Sequence, residues 1–230
     1  MTSFISGSKH HFRYFDAQLD RPAWPSLRVL DFGGNAGNLL DDPRCSVAHE
    51  NYWSVDVSHD AIIVGRRRFP RANFVYFDRF HPAFNPEGDR QMAVPSLGTF
   101  DVILAFSVLT HLSLEETNVL WGALRAMLRP DGVFAFTFLD PRHRPAPRLP
   151  NNLEERLYVT PFDTNGREAV AVVDGRLTPI DRYPERAKQY DVLHSCEFVE
   201  RWFPGVEIKR PVFSERQHCA LLWSSSTSAS

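Results

Sequence analysis

Apolar runs and amphipathic segments alternate along the first 140 residues of the chain. The apolar runs are short and rich in valine, isoleucine and aromatic residues, which is typical of strands. They cover residues 27–32, 52–57, 73–78, 100–106 and 133–139. The fourth run is almost continuously apolar, as expected of a strand that is buried on both faces of a parallel sheet. Strands that alternate with helices predict an α/β fold with a doubly wound parallel sheet.

Helices are predicted between these strands from helical spacing and from capping residues. A short amphipathic helix lies within residues 1–26, and a second begins at Asn38 and stops near Pro43. Ser58 caps a third helix. Ser113 caps a fourth, whose core stripe consists of Leu120, Leu124, Met127 and Leu128. We expect these helices to cover the two faces of the sheet.

The predicted organisation is one α/β domain with additions. Residues 1–26 form an N-terminal cap segment, and residues 27–223 form the domain. A stretch rich in proline and arginine at residues 140–191 predicts an inserted lid that contains one weak hairpin. A helix capped by Ser195 and two closing strands follow the lid. Residues 224–230 are a low-complexity tail that we expect to be disordered.

Composition narrows the functional classes. The chain of 230 residues has 26 Lys and Arg against 28 Asp and Glu, so no net field attracts nucleic acid or an anionic membrane. Cys45, Cys196 and Cys219 are widely spaced, which disfavours a disulfide framework and a zinc site with paired cysteines. No apolar run approaches the roughly 18 residues of a membrane-spanning helix. We therefore expect a cytoplasmic protein with reduced thiols, and neither a nucleic acid nor a membrane as its partner.

A glycine-rich turn follows the first strand. Asp31 stands near the end of the strand, and Gly33, Gly34 and Gly37 come after it. Glycines in such a turn adopt positive φ and let a ligand approach the backbone, while the N–H groups at a following helix start favour electron-rich ligand atoms. The alternative is an ordinary strand-to-helix turn that needs glycine only for packing. The turn by itself leaves both interpretations open.

Acidic residues stand at the ends of the first three predicted strands: Asp31, Asp56 and Asp78. In open sheets of this class, ligands bind beyond the carboxyl ends of the strands. The Asp56 carboxylate is placed to accept hydrogen bonds from both hydroxyls of a ribose. NAD would fit the same acid, but the turn lacks the G-x-G-x-x-G spacing of a dinucleotide site. For Asp31 the alternative is an acid that caps the turn, and for Asp78 it is a surface acid.

Five segments, in their order and spacing, resemble the class I, Rossmann-like methyltransferases that depend on S-adenosylmethionine: VLDFGGNAGNLL, VDVS, FDRF, FDVILAFSVLTHL and LRPDGVFAFTF. The resemblance covers residues 27–139, and the closing strands at 206–213 and 218–223 fit it more weakly. It implies a mostly parallel, seven-stranded sheet with an antiparallel C-terminal hairpin. It also implies an enzyme whose cofactor is S-adenosylmethionine.

The resemblance further implies what the site residues do. Asp31 helps to hold the methionine end of the cofactor. Asp78 meets the adenine amino group, with Phe77 or Arg79 beside the ring. The implied cofactor-binding set is Asp31, Gly33, Gly34, Asn35, Gly37, Asp56, Val57, Asp78, Arg79, Ala105 and Phe106.

The backbone of Ala105 and Phe106 corresponds to the family's contact with the methionyl group. The family commonly has glycine where this chain has Asn35. We therefore expect Asn35 either to adopt a left-handed conformation, which Asn tolerates best among non-glycine residues, or to place its amide at the cofactor.

The acceptor is expected to be a small molecule that is methylated on oxygen or nitrogen. After the fourth strand there is no Asn or Asp followed by Pro-Pro-Tyr, the arrangement of enzymes that methylate amino groups of DNA bases, and no Pro-Cys pair for attack on a pyrimidine. His111 is the candidate general base, because an imidazole can take a proton at neutral pH. The alternative is a histidine that is packed at a helix N-terminus.

Other imidazoles could reach the pocket from the leader and the lid, although each alone is expected to be a solvated surface residue: His10, His11, His143 and His194. Asp140 and His143 have a suitable spacing for a shared cation, but without a third ligand no metal site is predicted. Two other functional classes stay open. These are an NAD-dependent oxidoreductase and a non-catalytic protein that keeps S-adenosylmethionine as a structural ligand.

Overall fold

The computed structural model describes residues 10–81, 84–112, 114–140, 157–160, 170–173, 176–179, 190–192, 194–213 and 217–224, with the backbone alone between 157 and 192. The helices are α1 (His11–Gln18), α2 (His59–Arg68), α3 (Leu114–Ala126) and α4 (Cys196–Trp202). The strands are β1 (Val29–Phe32), β2 (Tyr52–Asp56), β3 (Asn73–Tyr76), β4 (Phe100–Ala105), β5 (Leu128–Phe138), β6 (Leu157–Thr160), β7 (Val170–Val173), β8 (Arg176–Pro179), β9 (Tyr190–Val192), β10 (Val206–Lys209) and β11 (His218–Trp223). Over the described part of the chain, no helix has the length and apolar character needed to cross a membrane.

Seven strands form one sheet in the order β3-β2-β1-β4-β5-β11-β10. The central strands pair in parallel, so that Asp31 of β1 lies opposite Ser54 of β2 and Leu104 of β4. The last two strands form the antiparallel C-terminal hairpin. The sequence prediction of a mostly parallel, seven-stranded α/β sheet is confirmed. Because β1, β2 and β4 run in the same direction, their carboxyl ends meet at one edge.

The core consists of the apolar residues of the central strands. The most deeply buried of them include Val29, Leu30, Phe100, Ile103, Leu104, Ala105, Ala135 and Phe136. These residues come from runs that are apolar at consecutive positions, because both faces of a central parallel strand are covered. At Asp31, β1 departs from this pattern, with a carboxyl group in a buried position.

Two of the predicted helix caps are present. The Ser58 hydroxyl accepts a hydrogen bond from the Ala61 backbone N–H at 3.3 Å and starts α2. The Ser195 hydroxyl does the same for Phe198 at 3.1 Å and starts α4. The predicted cap at Ser113 lies outside the described residues.

The helix predicted from Asn38 is wrong. Backbone bonds from the N–H groups of Gly37 and Leu40 to carbonyls three residues earlier form successive turns instead. Pro43 has no N–H to donate, and the Asp42 carboxylate accepts the Arg44 N–H at 3.0 Å, which bends the chain locally. The segment is interrupted before it is long enough for helical hydrogen bonds to offset the unfavourable free energy of helix nucleation.

A second sheet, in the order β8-β7-β6-β9, lies within the stretch predicted as a lid except for Val192, the last residue of β9. β7 and β8 pair antiparallel with Val173 opposite Arg176, which confirms the predicted hairpin. β6 pairs with β7 antiparallel and with β9 in parallel. The proline-rich and arginine-rich start of this stretch lies outside the described residues.

The chain divides into two compact units. The first contains Met1–Phe106, Gly122–Ala135 and Leu222–Ser230, and the second contains Ser107–Trp121 and Phe136–Leu221. The glycine turn and the three strand-end acids belong to the first unit, whereas His111, Asp140 and α4 belong to the second.

Candidate functional site

The glycine turn passes directly over the side chain of Asp31. A Cβ atom added at Gly34 would lie 2.7 Å from the Asp31 Cγ and 2.7 Å from the Ser54 Oγ, so only glycine fits there. Gly33 and Gly37 have φ values of 76° and 88°, a region that L side chains avoid. The turn is thus shaped by its glycines, although the helix expected after it is missing.

Asn35 has a φ of 52°, which is the left-handed conformation. Its side-chain Oδ1 accepts the Ala36 N–H at 2.7 Å. The first of the two alternatives for Asn35 is confirmed, because Asn accepts this conformation more readily than other non-glycine residues. Its side chain is used to stabilise the turn.

Asp56 joins the glycine turn to the end of β2. One carboxylate oxygen accepts the Asn35 N–H at 2.8 Å, and the other accepts the Ser58 N–H at 2.8 Å. Burial raises the pKa of Asp56, and these backbone bonds oppose that effect. The Val57 backbone N–H contributes in the same direction, and because a carboxylate has about four lone-pair sites, one remains for a further donor. Asp56 and the following Val57 are half-buried as whole residues.

Asp31 is buried and bonded to a tyrosine. The Tyr52 hydroxyl donates to the Asp31 Oδ2 at 2.7 Å, and both side chains are almost fully removed from solvent. Burial raises the pKa of Asp31 to about 7; the Tyr52 bond lowers it, and the Asp56 carboxylate raises it. Sequence reasoning missed Tyr52. The register supplies the reason for the contact, since Asp31 lies opposite Ser54, and Tyr52 is on the same strand face two residues earlier.

Asp78 is exposed after β3. Its Oδ1 accepts the Tyr76 hydroxyl at 2.7 Å and the Asn85 amide at 3.0 Å. These two bonds, that of Asn85 first, hold the pKa of Asp78 below its usual value. Arg79 is half-buried and donates to the Met92 carbonyl at 2.7 Å, while Phe77 is buried. The carboxylate is therefore fixed in position and accessible to solvent.

The carboxyl end of β4 carries Ala105, which is fully buried, and Phe106, which is half-buried. The His11 ring of α1 stacks on Phe106 with a centroid distance of 4.0 Å and an interplanar angle of 25°. Tyr14 meets the same ring edge-on at 5.5 Å. Burial, and secondly the charge of His10, lowers the pKa of His11 to about 4. The expectation that His11 is a solvated surface residue is wrong, because α1 packs against Phe106.

The second unit contains the remaining candidates. His111 is half-buried and ends a short helical turn, Leu109–His111. Asp140 is fully buried and accepts the Cys196 N–H at 3.1 Å, and His143 lies outside the described residues. His194 is 3% exposed, so its predicted place on the solvated surface is also wrong. Among the described residues, no three His, Cys, Asp or Glu side chains cluster so that they could hold a metal ion.

The edge formed by β1 and β2 has the features that an adenosyl cofactor needs. Gly34 leaves space over Asp31 that a Cβ would fill, and the Asp56 carboxylate beside the turn retains an acceptor site. Asp78 offers a further acceptor after the neighbouring strand. The residues present therefore fit S-adenosylmethionine.

Comparison with known proteins agrees with this arrangement. Residues 30–134 match the family model of a methyltransferase domain. No curated protein matches the sequence.

Solved structures show the same fold. The PH0226 protein from Pyrococcus horikoshii OT3 is similar with a TM-score of 0.57 and 18% identity, over 98% of this chain and 96% of that one. The S-adenosylmethionine-dependent methyltransferase SibL gives 0.56 and 18%, over 95% of this chain and 55% of its own, so this chain spans about half the length of SibL. Magnesium protoporphyrin IX methyltransferase from Synechocystis PCC 6803, solved with bound SAM, gives 0.52 and 11%, over 94% and 79%.

The matched segment contains β1 to β4 and most of β5, including the glycine turn, Asp31, Asp56 and Asp78. The strand order of the seven-stranded sheet is that of the methyltransferase fold. The chain therefore has the fold of these methyltransferases, and its residues 30–134 match a methyltransferase domain.

Proposed function

We propose that this protein transfers a methyl group to a small-molecule acceptor, on oxygen or nitrogen. The observation that carries the proposal is the bond of 2.8 Å between the Asn35 N–H and the Asp56 carboxylate. This bond joins the glycine turn to Asp56, the carboxylate that we assign to the ribose hydroxyls, so that the two form one site. When bound, S-adenosylmethionine supplies an activated methyl group on a sulfonium centre, so the protein has mainly to align the acceptor.

The residues of the first unit have separate roles in this proposal. Asp56 accepts the ribose hydroxyls, and the backbone at Gly33 and Gly34 lies along the methionine part. Asp31 supplies the negative charge beneath the turn. Asp78, with Arg79 beside it, accepts the adenine amino group. Alignment of the reacting groups accounts for roughly 7 to 11 kcal/mol of barrier lowering in well-oriented reactions.

His111 takes a proton from the acceptor where the acceptor must lose one. A general base contributes typically about 10² to 10⁴ in rate. Loss of His111 therefore lowers the rate without abolishing it if alignment supplies the larger part. A rate that is lowered but not abolished therefore distinguishes a general base from a residue that is essential for binding.

Charge and composition support a small acceptor. The 26 basic and 28 acidic residues leave no excess of positive charge for a polyanion, and the motifs of base-methylating enzymes are missing from the sequence. The Synechocystis neighbour is named for magnesium protoporphyrin IX, which is a small molecule. Free cysteines support a cytoplasmic location, where thiols stay reduced.

A screen for methyl uptake tests the proposal. The wild-type protein is incubated with S-adenosylmethionine labelled in the methyl group and with pools of metabolites that carry hydroxyl or amino groups. The proposal predicts label in at least one small product, and loss of that label in Asp56→Ala. Binding of NAD without binding of S-adenosylhomocysteine would support the oxidoreductase instead. Binding of S-adenosylhomocysteine with no uptake from any pool would support a non-catalytic protein.

A further inference from the structure

The side chain of Asp78 is exposed, yet two neighbours hold one of its oxygens in place. The Tyr76 hydroxyl donates to the Asp78 Oδ1 at 2.7 Å, and the Asn85 side-chain amide donates to the same oxygen at 3.0 Å. Among the described residues, no hydrogen bond reaches Oδ2. These bonds keep the pKa of Asp78 below its usual value, so the carboxylate is ionised at neutral pH and acts only as an acceptor.

Asn85 is the buried member of this pair of donors. Its residue is 8% exposed, and its amide nitrogen donates both to Asp78 and to the backbone carbonyl of Arg79, the latter at 3.1 Å. Both partners are oxygens without a proton to donate, so the nitrogen of the amide, and not its oxygen, must face them. Asn85 thereby binds the two residues that the proposed function places at the adenine.

Backbone hydrogen bonds close the loop that carries Asn85. The backbone N–H of Asn85 donates to the His81 carbonyl at 2.9 Å, and the His81 N–H donates back to the Asn85 carbonyl at the same distance. The Asp89 N–H donates to the Asp78 carbonyl at 2.9 Å, so the chain returns to the end of β3. A Cβ added at Gly88 would lie 2.4 Å from the Asn85 Nδ2 and 2.7 Å from the carbonyl oxygen to which this amide donates. Only glycine at that position lets the amide reach its acceptors.

Stability alone does not account for this arrangement. A carboxylate at the surface gains little from such bonds, because water competes for the same sites and because fixing the side chain costs conformational entropy. Two donors on Oδ1 do, however, fix the direction in which Oδ2 can accept a further hydrogen bond. A polar group that is held in place before a ligand arrives binds that ligand more tightly and more selectively than a mobile one.

The amino group of adenine is the donor that suits this acceptor. Adenine carries an NH₂ group at C6, whereas a 6-oxo purine carries a carbonyl oxygen at the same position. That oxygen would face the Asp78 carboxylate without a proton between them. A site prepared for a donor rejects an analogue that lacks it, because the polar group of the site is then left unpaired.

We propose that Asn85 and Tyr76 are positioning residues that make the cofactor site selective for adenine over a 6-oxo purine, by directing the free oxygen of Asp78 toward the amino group of the base. The inference rests on the proposed function, which places Asp78 at the adenine, and it involves residues of the first unit alone. It makes the selectivity for the base depend on how the carboxylate is held, and not on its presence alone.

Asn85→Ala tests the inference, because it removes the amide and leaves the Asp78 carboxylate free to rotate. Tyr76→Phe removes the other donor from a half-buried side chain and carries the test if Asn85→Ala does not fold. Asn73→Ala is the matched control, since the Asn73 amide nitrogen also donates to two backbone carbonyls, each at 3.1 Å, but at the amino end of β3. Calorimetry on each variant measures the Kd of S-adenosylhomocysteine and of S-inosylhomocysteine, in which an oxygen replaces the amino group.

We expect the wild type to bind S-adenosylhomocysteine about tenfold or more tighter than S-inosylhomocysteine. Asn85→Ala and Tyr76→Phe should each lower this ratio of affinities about threefold or more, mainly through weaker binding of the adenine compound. Asn73→Ala should leave the ratio within about twofold of the wild-type value, whatever its effect on Tm. Because Asn85 acts through Asp78, Asn85→Ala should not change the ratio further in a protein that already carries Asp78→Ala.

Three results would overturn the inference. The first is an unchanged ratio in the folded variants at Asn85 and Tyr76, even if both compounds bind more weakly. The second is an equal effect of Asn85→Ala on the ratio with and without Asp78→Ala, and the third is a wild type that binds the two compounds equally. A wild type that binds neither compound would instead overturn the proposed function, and the same calorimetry identifies that case separately.

Discussion

The Tyr52 hydroxyl donates a hydrogen bond of 2.7 Å to the Asp31 carboxylate in the interior of the sheet, directly beneath the glycine turn. Among the described residues, no basic side chain forms an ion pair with this acid. The tyrosine is therefore the main group that stabilises a buried negative charge at the cofactor site.

Tyr52→Phe should destabilise the protein more at high pH than at low pH. Above about pH 7 Asp31 is ionised, and loss of its donor leaves a buried charge without that bond, at a cost of about 1 to 3 kcal/mol. Near pH 5 the acid is protonated, and the cost falls to about 0.5 to 1.5 kcal/mol. Urea unfolding at the two pH values measures the difference. Tyr76→Phe is the control, because its bond to the exposed Asp78 should contribute little at either pH. Equal destabilisation by Tyr52→Phe at both pH values would contradict the pairing.

Asp31 itself should make stability fall as pH rises. Its pKa in the folded protein is about 7, above the usual value of 3.8, so between these values the folded state binds more protons than the unfolded state. The stabilisation is complete below about pH 4 and is lost as pH rises through about 7, at a slope of at most about 1.4 kcal/mol per pH unit. The difference in unfolding free energy between wild type and Asp31→Asn isolates this contribution. A difference that is constant from about pH 4 to pH 7 would show that burial does not shift the Asp31 pKa.

Two glycine-to-alanine substitutions should have opposite effects. A Cβ at Gly34 would lie 2.7 Å from Asp31 and Ser54, whereas a Cβ at Gly122 in α3 has nothing within 4 Å. Gly34→Ala should cost about 1 to 3 kcal/mol of stability and weaken cofactor binding. Gly122→Ala should add about 0.5 to 1 kcal/mol, because alanine is the better helix former, and should leave binding unchanged. Thermal unfolding and calorimetry on both variants measure these effects. A Gly34→Ala protein with wild-type stability and affinity would contradict the close approach of the turn.

The left-handed conformation of Asn35 predicts a further pair of results. Asn35→Gly should retain stability to within about 0.5 kcal/mol, because glycine adopts a φ of 52° without strain. Asn35→Ala should lose about 1 to 2 kcal/mol, since the left-handed conformation strains alanine but not glycine, whereas the acceptor of the Ala36 N–H is lost in both variants. Unfolding in urea compares the two variants. Equal stability of the alanine and glycine variants would argue against the observed backbone geometry.

Most strands could be predicted from the sequence because buried strands consist of consecutive apolar residues. The run at β4 is one example, and the parallel order followed from the alternation with helices. Local capping was also predictable at Ser58 and Ser195, since a cap depends on neighbours within three residues. The helix at Asn38 failed because glycine and proline interrupt the segment before a helix can form.

The candidate site was only partly predictable for a related reason. The strand-end acids could be identified because their position in the chain is enough to bring Asp31 and Asp56 to one edge. Tyr52 could not, since its contact with Asp31 depends on the register between β1 and β2. The burial of His11 and His194 depends on the packing of α1 and on contacts with α4, which no local pattern encodes.

Calorimetric titration with S-adenosylhomocysteine tests the central claim most directly. The account predicts one binding site on the wild type, affinity weakened about tenfold or more in Asp56→Ala, and wild-type affinity in Asp60→Ala, which removes an exposed acid four residues away on α2. NAD should not compete. Equal affinity in Asp56→Ala and the wild type, or binding of NAD in place of S-adenosylhomocysteine, would contradict the assignment of this edge as the S-adenosylmethionine site.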